Sequence, residues 1–191
     1  MRALAVILKY TAMRDKNDLK LAVLIDADGH FSSVAPATAL QLLAKQGLVT
    51  PLSVAFGGTV SLAGYRLEPA AWQAGGEGAL VLYWQPQRRL SLATANLFQV
   101  ALRLVPPGAS EPAVIVAHPV LPGCLAARDL APGAIVPVRY SLSLPATLPP
   151  GNYTLQACLT AGSGGQPVAG TQQGGASKAL DCLPLAVNVV H

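Results

Sequence analysis

The chain has 191 residues, enough for one domain plus a short extra segment, and enough to bury a core without metals or a dense disulfide framework. It is 52% hydrophobic and only 12% charged, about half the charge of an average soluble domain, so its surface must be neutral and polar or partly covered. The formal charge of +4 comes from scattered bases, with Arg88-Arg89 the only adjacent pair, which leaves no basic stripe for nucleic acid.

At the N-terminus, Arg2 precedes the apolar run Ala3–Leu8, and Lys9, Arg14 and Lys16 follow it where a signal peptide would carry a small-residue cleavage site. The run is therefore not read as a signal. Neither it nor Leu21–Ile25 nor Val114–Ala117 approaches the ~18 apolar residues of a membrane span. Leu19–Asp28 reads as a short buried strand ending in two acids. Pro36 to Gln46 reads as a helix, with Pro36 in its first turn, Leu40, Leu43 and Ala44 on one face, and Gly47 as its stop.

From Leu52 the period becomes two. Leu52–Phe56 and Thr59–Leu67 flank Gly57-Gly58 as a hairpin. Gly75–Gly78 turns the chain into Ala79–Trp84, where Leu80, Leu82 and Trp84 share a face. Leu97–Val105 reads as a strand buried on both sides, and Ala113–Ala117 as a further short run. Ile135–Leu144 alternates most cleanly, with Val136, Val138, Tyr140, Leu142 and Leu144 on one face. After the turn Pro149–Asn152, Tyr153, Leu155, Ala157 and Leu159 alternate again. Gly162–Ser177 reads as a flexible loop, and Leu183–Val190 as the last strand.

These spacings predict an all-β fold for residues 48–191, an antiparallel β-sandwich of about eight strands. Residues 1–47 form a separate strand-helix segment, whether native context or a remnant of a frame boundary.

Several phrases stand in fixed order along the chain: Phe56-Gly57-Gly58, Leu62-Ala63-Gly64-Tyr65, Leu82-Tyr83-Trp84, Ala117–Gly123, Leu130–Gly133, Val138–Pro145 and Leu148–Leu155. Over about residues 49–190 they resemble the extracytoplasmic β-sandwich domain appended to bacterial multi-spanning membrane glycosyltransferases of the dolichyl-phosphate-mannose mannosyltransferase-like group. The resemblance implies a jelly-roll-like sandwich that accompanies a glycan-handling enzyme outside the cytoplasmic membrane. The spans that would carry transferase chemistry are absent from this chain. Leu130 stands where such domains usually carry tryptophan, Ala134 where they carry an acid, and the loop 162–177 lacks their usual charges.

Asp26 and Asp28 at a strand end are placed as magnesium-dependent nucleases place theirs, and Leu21–Asp28 with the helix after it is similar to the opening of NYN/PIN-like ribonucleases. The rest of the chain supplies no second acidic motif for the metal. Ser32, His118 and Asp129 make a triad only on paper, since no nucleophile-elbow sequence accompanies them. His118 reads as a loop histidine near Pro119 and Pro122. Cys158 and Cys182 are candidates for one disulfide joining two late strands; the alternative is three buried thiols, Cys124 included. Asn152-Tyr153-Thr154 matches a glycosylation acceptor but sits in a turn.

Sugar-binding sandwiches present aromatic faces with polar neighbours. The ligand-binding candidates are Trp72, in the loop Glu68–Gly78, and Trp84 with Arg88, beside Gln85 and Gln87. Packing is the stronger reading for Trp84; for Trp72 the two are closer. The expectation is a non-catalytic accessory or carbohydrate-associated module. It would have no cofactor or metal, no nucleic-acid partner, and a carbohydrate or a membrane glycosyltransferase as partner. The alternatives are a structural or surface-interaction module, and a metal-dependent nuclease built on Asp26 and Asp28.

Overall fold

The computed structural model describes residues 5–8, 22–25, 31–88, 98–120, 132, 134–161, 166–172 and 178–190. Three short strands, β1 (Ala5–Leu8), β2 (Ala22–Ile25) and β3 (Phe31–Val34), form an antiparallel sheet in the order β1-β2-β3. The helix α1 (Pro36–Lys45) follows, begun by Pro36 and closed by the left-handed Gly47 at φ +70°. It lies against β1, β2 and the first strand of the sandwich.

The sandwich begins with β4 (Thr50–Phe56) and β5 (Val60–Glu68), then β6 (Ala71–Gln73), β7 (Glu77–Pro86), β8 (Phe98–Val105) and β9 (Val114–Pro119). It continues with β10 (Val136–Ser143), β11 (Gly151–Ala161), β12 (Gln166–Pro167), β13 (Gly170–Gln172), β14 (Lys178–Leu180) and β15 (Leu183–Val190). One sheet runs β10-β7-β5-β4-β13-β14 and the other β6-β15-β11-β8-β9, with β12 beside β11. All pairs within them are antiparallel except β15 with β6. The eight longer strands divide four to each sheet: β4, β5, β7 and β10 in one, β8, β9, β11 and β15 in the other. The all-β sandwich read from the alternation is therefore the fold.

Alternation dictates the core. Leu80, Leu82 and Trp84 of β7 and Val138, Tyr140 and Leu142 of β10 face Val100, Leu102 and Leu104 of β8 and Leu155, Ala157 and Leu159 of β11. Their neighbours one residue along point outward, as the two-residue period of a strand requires. The β4–β5 hairpin closes on Phe56↔Val60 with Gly57 and Gly58 both left-handed, at φ +54° and +63°, where a Cβ would be strained. Tyr153 packs in the core while its hydroxyl donates back to the Pro149 carbonyl at 2.8 Å, bracing the turn before β11. The same feature is known as a tyrosine corner in other sandwiches.

Four expectations change. Only one face of β8 is deeply buried, since Gln99 and Arg103 are exposed between Val100, Leu102 and Leu104. His118 lies in strand β9, not in a loop. Trp72 lies in β6, an edge strand parallel to β15, rather than in a loop. Part of the presumed loop 162–177 adds β13 to the edge of β4, with Gly170 so close to Phe56 that a Cβ there would fall 2.7 Å from its ring. Gly, Thr and Gln carry no apolar alternation, so nothing in the sequence marks that strand.

Cys158 and Cys182 form a disulfide joining neighbouring strands, one step beyond the Ala157↔Leu183 pair. Among the described residues no helix is long and apolar enough to cross a membrane.

Candidate functional site

The two tryptophans lie inside the protein. Trp72 is 0% exposed and Trp84 2%, so neither offers a ring face to solvent, and an aromatic platform at these positions is not what the fold builds. Each is buried for a reason. β6 is drawn against β15 by the parallel register Val189↔Trp72, which turns the indole into the end of the core, over Gly78. Its Nε1–H finds no acceptor among the described residues. Trp84 Nε1–H donates to the Tyr140 hydroxyl at 2.9 Å, and that hydroxyl donates to the Val120 carbonyl at 2.7 Å. Burial raises the Tyr140 phenol well above its usual range, the bond from Trp84 only partly offsetting this.

Beside this chain, His118 Nε2 lies 3.1 Å from the Ser141 carbonyl and its ring 5.7 Å from that of Tyr140. His118 belongs to β9 and Ser141 to β10, so the pair ties the facing edges of the two sheets. Asp26, Asp28, Asp129 and Cys124 lie outside the described residues. Among the described residues no three His, Cys, Asp or Glu side chains come together as metal ligands.

Arg88 is where the sequence and the geometry meet. It is exposed, and its Nη2 donates to Thr59 Oγ1 at 3.0 Å beside the Gly57-Gly58 turn. This end of the β10-β7-β5-β4 sheet carries an open groove of about 340 Å³ on its outer face. Its polar wall is Ser53, Ser61, Gln85 and Gln87, its floor Ala55, Gly58 and Ala63. Gln87 Nε2 donates to Ser61 Oγ at 2.7 Å, and Ser61 Oγ to the Gln85 carbonyl at 3.3 Å. The Gln87 amide N–H donates to the Thr59 carbonyl at 3.0 Å, fixing the strand beyond Pro86 against the hairpin. Among the described residues no carboxylate, histidine or cysteine lines the groove. It offers hydroxyl and amide groups held by one another, with the Arg88 guanidinium close by.

Elsewhere the same outer face is partly covered. Leu40 and Leu43 of α1 pack on Val49, Val81 and Tyr83. Further along, Arg139 spans β7 to reach Glu68 at 3.4 Å and Glu77 at 3.2 Å, and Arg66 pairs with Glu68. The Ser141 hydroxyl and then Arg139 hold the Glu77 carboxyl below its usual range. Burial raises the Tyr83 phenol, opposed by nearby Arg66. The exposed pairs add little stability.

Gln85, Gln87 and Arg88 were visible in the sequence as a polar run after Trp84. Ser53 and Ser61 were missed, although both alternate with core residues of a predicted hairpin, and that alternation is the signal that places them outward.

No family model matches the chain, and no curated protein matches it. Among solved structures it is similar to the C-terminal domain of wzt, with a TM-score of 0.47 and 11% identity over 74% of this chain and 82% of that one. It is also similar to a Niemann-Pick type C2 protein from the Japanese carpenter ant, with a TM-score of 0.37 and 7% identity over 68% of this chain and 91% of that one. Identities this low carry no residue across from either chain.

Proposed function

We propose that the chain is a non-catalytic binding module whose open groove takes a neutral, hydroxyl-rich ligand of carbohydrate type. The observation that carries this reading is the groove wall of Ser53, Ser61, Gln85 and Gln87, with no acid or histidine among the described lining residues. Hydroxyl and amide groups supply both donors and acceptors, which is what sugar hydroxyls require. A hydrolase would need a carboxylate pair or a nucleophile with its base, and the described groove lining offers neither.

Two further features support a wider context. A disulfide between Cys158 and Cys182 suits an oxidising compartment, consistent with action outside the cytoplasmic membrane. The ordered turn phrases of residues 49–190 favour association with a membrane glycosyltransferase.

A glycan array followed by calorimetry tests the reading. Binding should fall about tenfold in Ser61→Ala and in Gln87→Ala, the loss of roughly one hydrogen bond each, while Arg139→Ala leaves it unchanged. A blank array, or full binding in both groove variants, would overturn it.

One observation favours a second reading, a surface-interaction module. Ile115 is 60% exposed on the edge strand β9, beside exposed Ala117 and Pro119. Concentration-dependent dimerisation in sedimentation, lost in Ile115→Lys, would support that reading over the first.

A further inference from the structure

The polar groove does not end at the sheet. Ala63 and Gln85, which line it, also line a second cleft of about 390 Å³ that runs beneath α1. The cleft's other walls are Ala37, Leu40 and Ala44 of the helix and Pro51 and Ile135 of the sandwich. Gln41 and Lys45 stand at its helical side.

The space has a physical origin. α1 is held to the sheet by Leu40 and Leu43 on Val81, Tyr83 and Val49. Beside that contact the facing residues are small, Ala37 and Ala44 above and Ala63 below, so the helix and the sheet do not meet there. Apolar walls without a partner forfeit dispersion contacts that a close-packed interior would make. A ligand atom entering the cleft restores those contacts and leaves water as it does so. Sugar hydroxyls placed there would lose their hydrogen bonds. One molecule lying along both clefts must therefore change character where they join, at Ala63 and Gln85.

We infer that the groove and the cleft together form one site for an amphiphile, with a single hydrocarbon chain beneath α1 and a hydroxyl-rich head on Ser61, Gln85 and Gln87. This rests on the carbohydrate reading of the polar groove and deepens it by naming the apolar part of the ligand. The exposed Lys45 beside the cleft disfavours a cationic amphiphile.

The test compares methyl and octyl glycosides of glucose, mannose, galactose and N-acetylglucosamine, below their micellar concentrations, with octyl tetraethylene glycol as a chain lacking the sugar. For at least one sugar the octyl form should bind more tightly than the methyl form, by about fourfold for each methylene that enters the cleft. Ala63→Trp, which fills the junction, and Ala37→Trp, at the exposed rim of the cleft, should both remove that gain. Ala37→Trp keeps the test valid if the sheet variant does not fold, and thermal melts report folding of each. Methyl and octyl forms binding equally would overturn the amphiphile and leave the carbohydrate reading standing. Octyl tetraethylene glycol binding as tightly as the best octyl glycoside would overturn the sugar head while keeping the cleft. Binding of none of the probes would overturn both.

Discussion

Gly78 opens β7 directly under the indole of Trp72: a Cβ built on Gly78 would fall 2.2 Å from Trp72 Cδ2 and 2.5 Å from Cε2 and Cε3. Trp72 belongs to an edge strand of one sheet and Gly78 to a strand of the other, so the contact closes one end of the sandwich. The pair is reciprocal, because the ring is fully buried only where the glycine leaves room.

Gly78→Ala should therefore cost about 3 kcal/mol, the upper end of ordinary overpacking. Trp72→Ala should cost about 3–5 kcal/mol through the cavity it leaves. In urea denaturation the double variant should fall well short of the sum, since removing the ring removes the clash. Additive losses would show that the two residues do not share one site.

Tyr140→Phe should destabilise the protein by about 1–3 kcal/mol, because it leaves the buried Trp84 Nε1–H without its acceptor. The variant also changes the response to alkali. In the folded protein the Tyr140 phenol is raised, mainly by burial. In the unfolded chain it ionises near pH ~10. Above that pH the unfolded state binds fewer protons, so stability falls as pH rises. Below it the contribution of Tyr140 is fully present. Denaturation curves at rising pH should show this decline in the parent and a shallower one in Tyr140→Phe, the remaining slope owing in part to the raised Tyr83.

The Cys158–Cys182 disulfide closes a loop of sequence separation 24. On the chain-entropy account such a crosslink contributes about 3 kcal/mol. The paired variant Cys158→Ala/Cys182→Ala should lose that much unfolding free energy, seen as a lower urea midpoint, and a reductant should shift the parent but not the variant. A reductant-insensitive parent would mean that the two thiols are not bonded in solution.

Leu40 and Leu43 anchor α1 in a cluster separate from the main core. Leu43→Ala should therefore loosen the helix before the sandwich. Hydrogen exchange should accelerate across Pro36–Lys45 while β7 and β11 keep their protection. By the reading of the cleft beneath the helix, the same variant should weaken octyl glycosides more than methyl glycosides.

Much of the fold was legible in the residues. The alternation in Val136–Leu144 and Tyr153–Leu159, and the paired glycines between Phe56 and Val60, each name a strand or a turn by local chemistry. The helix from Pro36 was equally plain, because its start, its apolar face and its glycine stop agree. Strand β13 was not legible, because Gly170, Thr171 and Gln172 earn their place only by pairing with β4. The site was half legible: Gln85, Gln87 and Arg88 stood out as a polar run, whereas Ser53 and Ser61 join them only when the hairpin folds.

Taken alone, the sequence determined the strand period, the inward set of side chains and the low charge of the sandwich segment, since these follow from local geometry and composition. Tertiary structure decided what depends on distant segments meeting. It turned Trp72 inward through β15, bonded Cys158 to Cys182, and brought Ser53, Ser61, Gln85 and Gln87 to one groove. Side-chain direction within a strand is set by the pleat, but which face is covered is set by what packs upon it, and that information lies elsewhere in the chain.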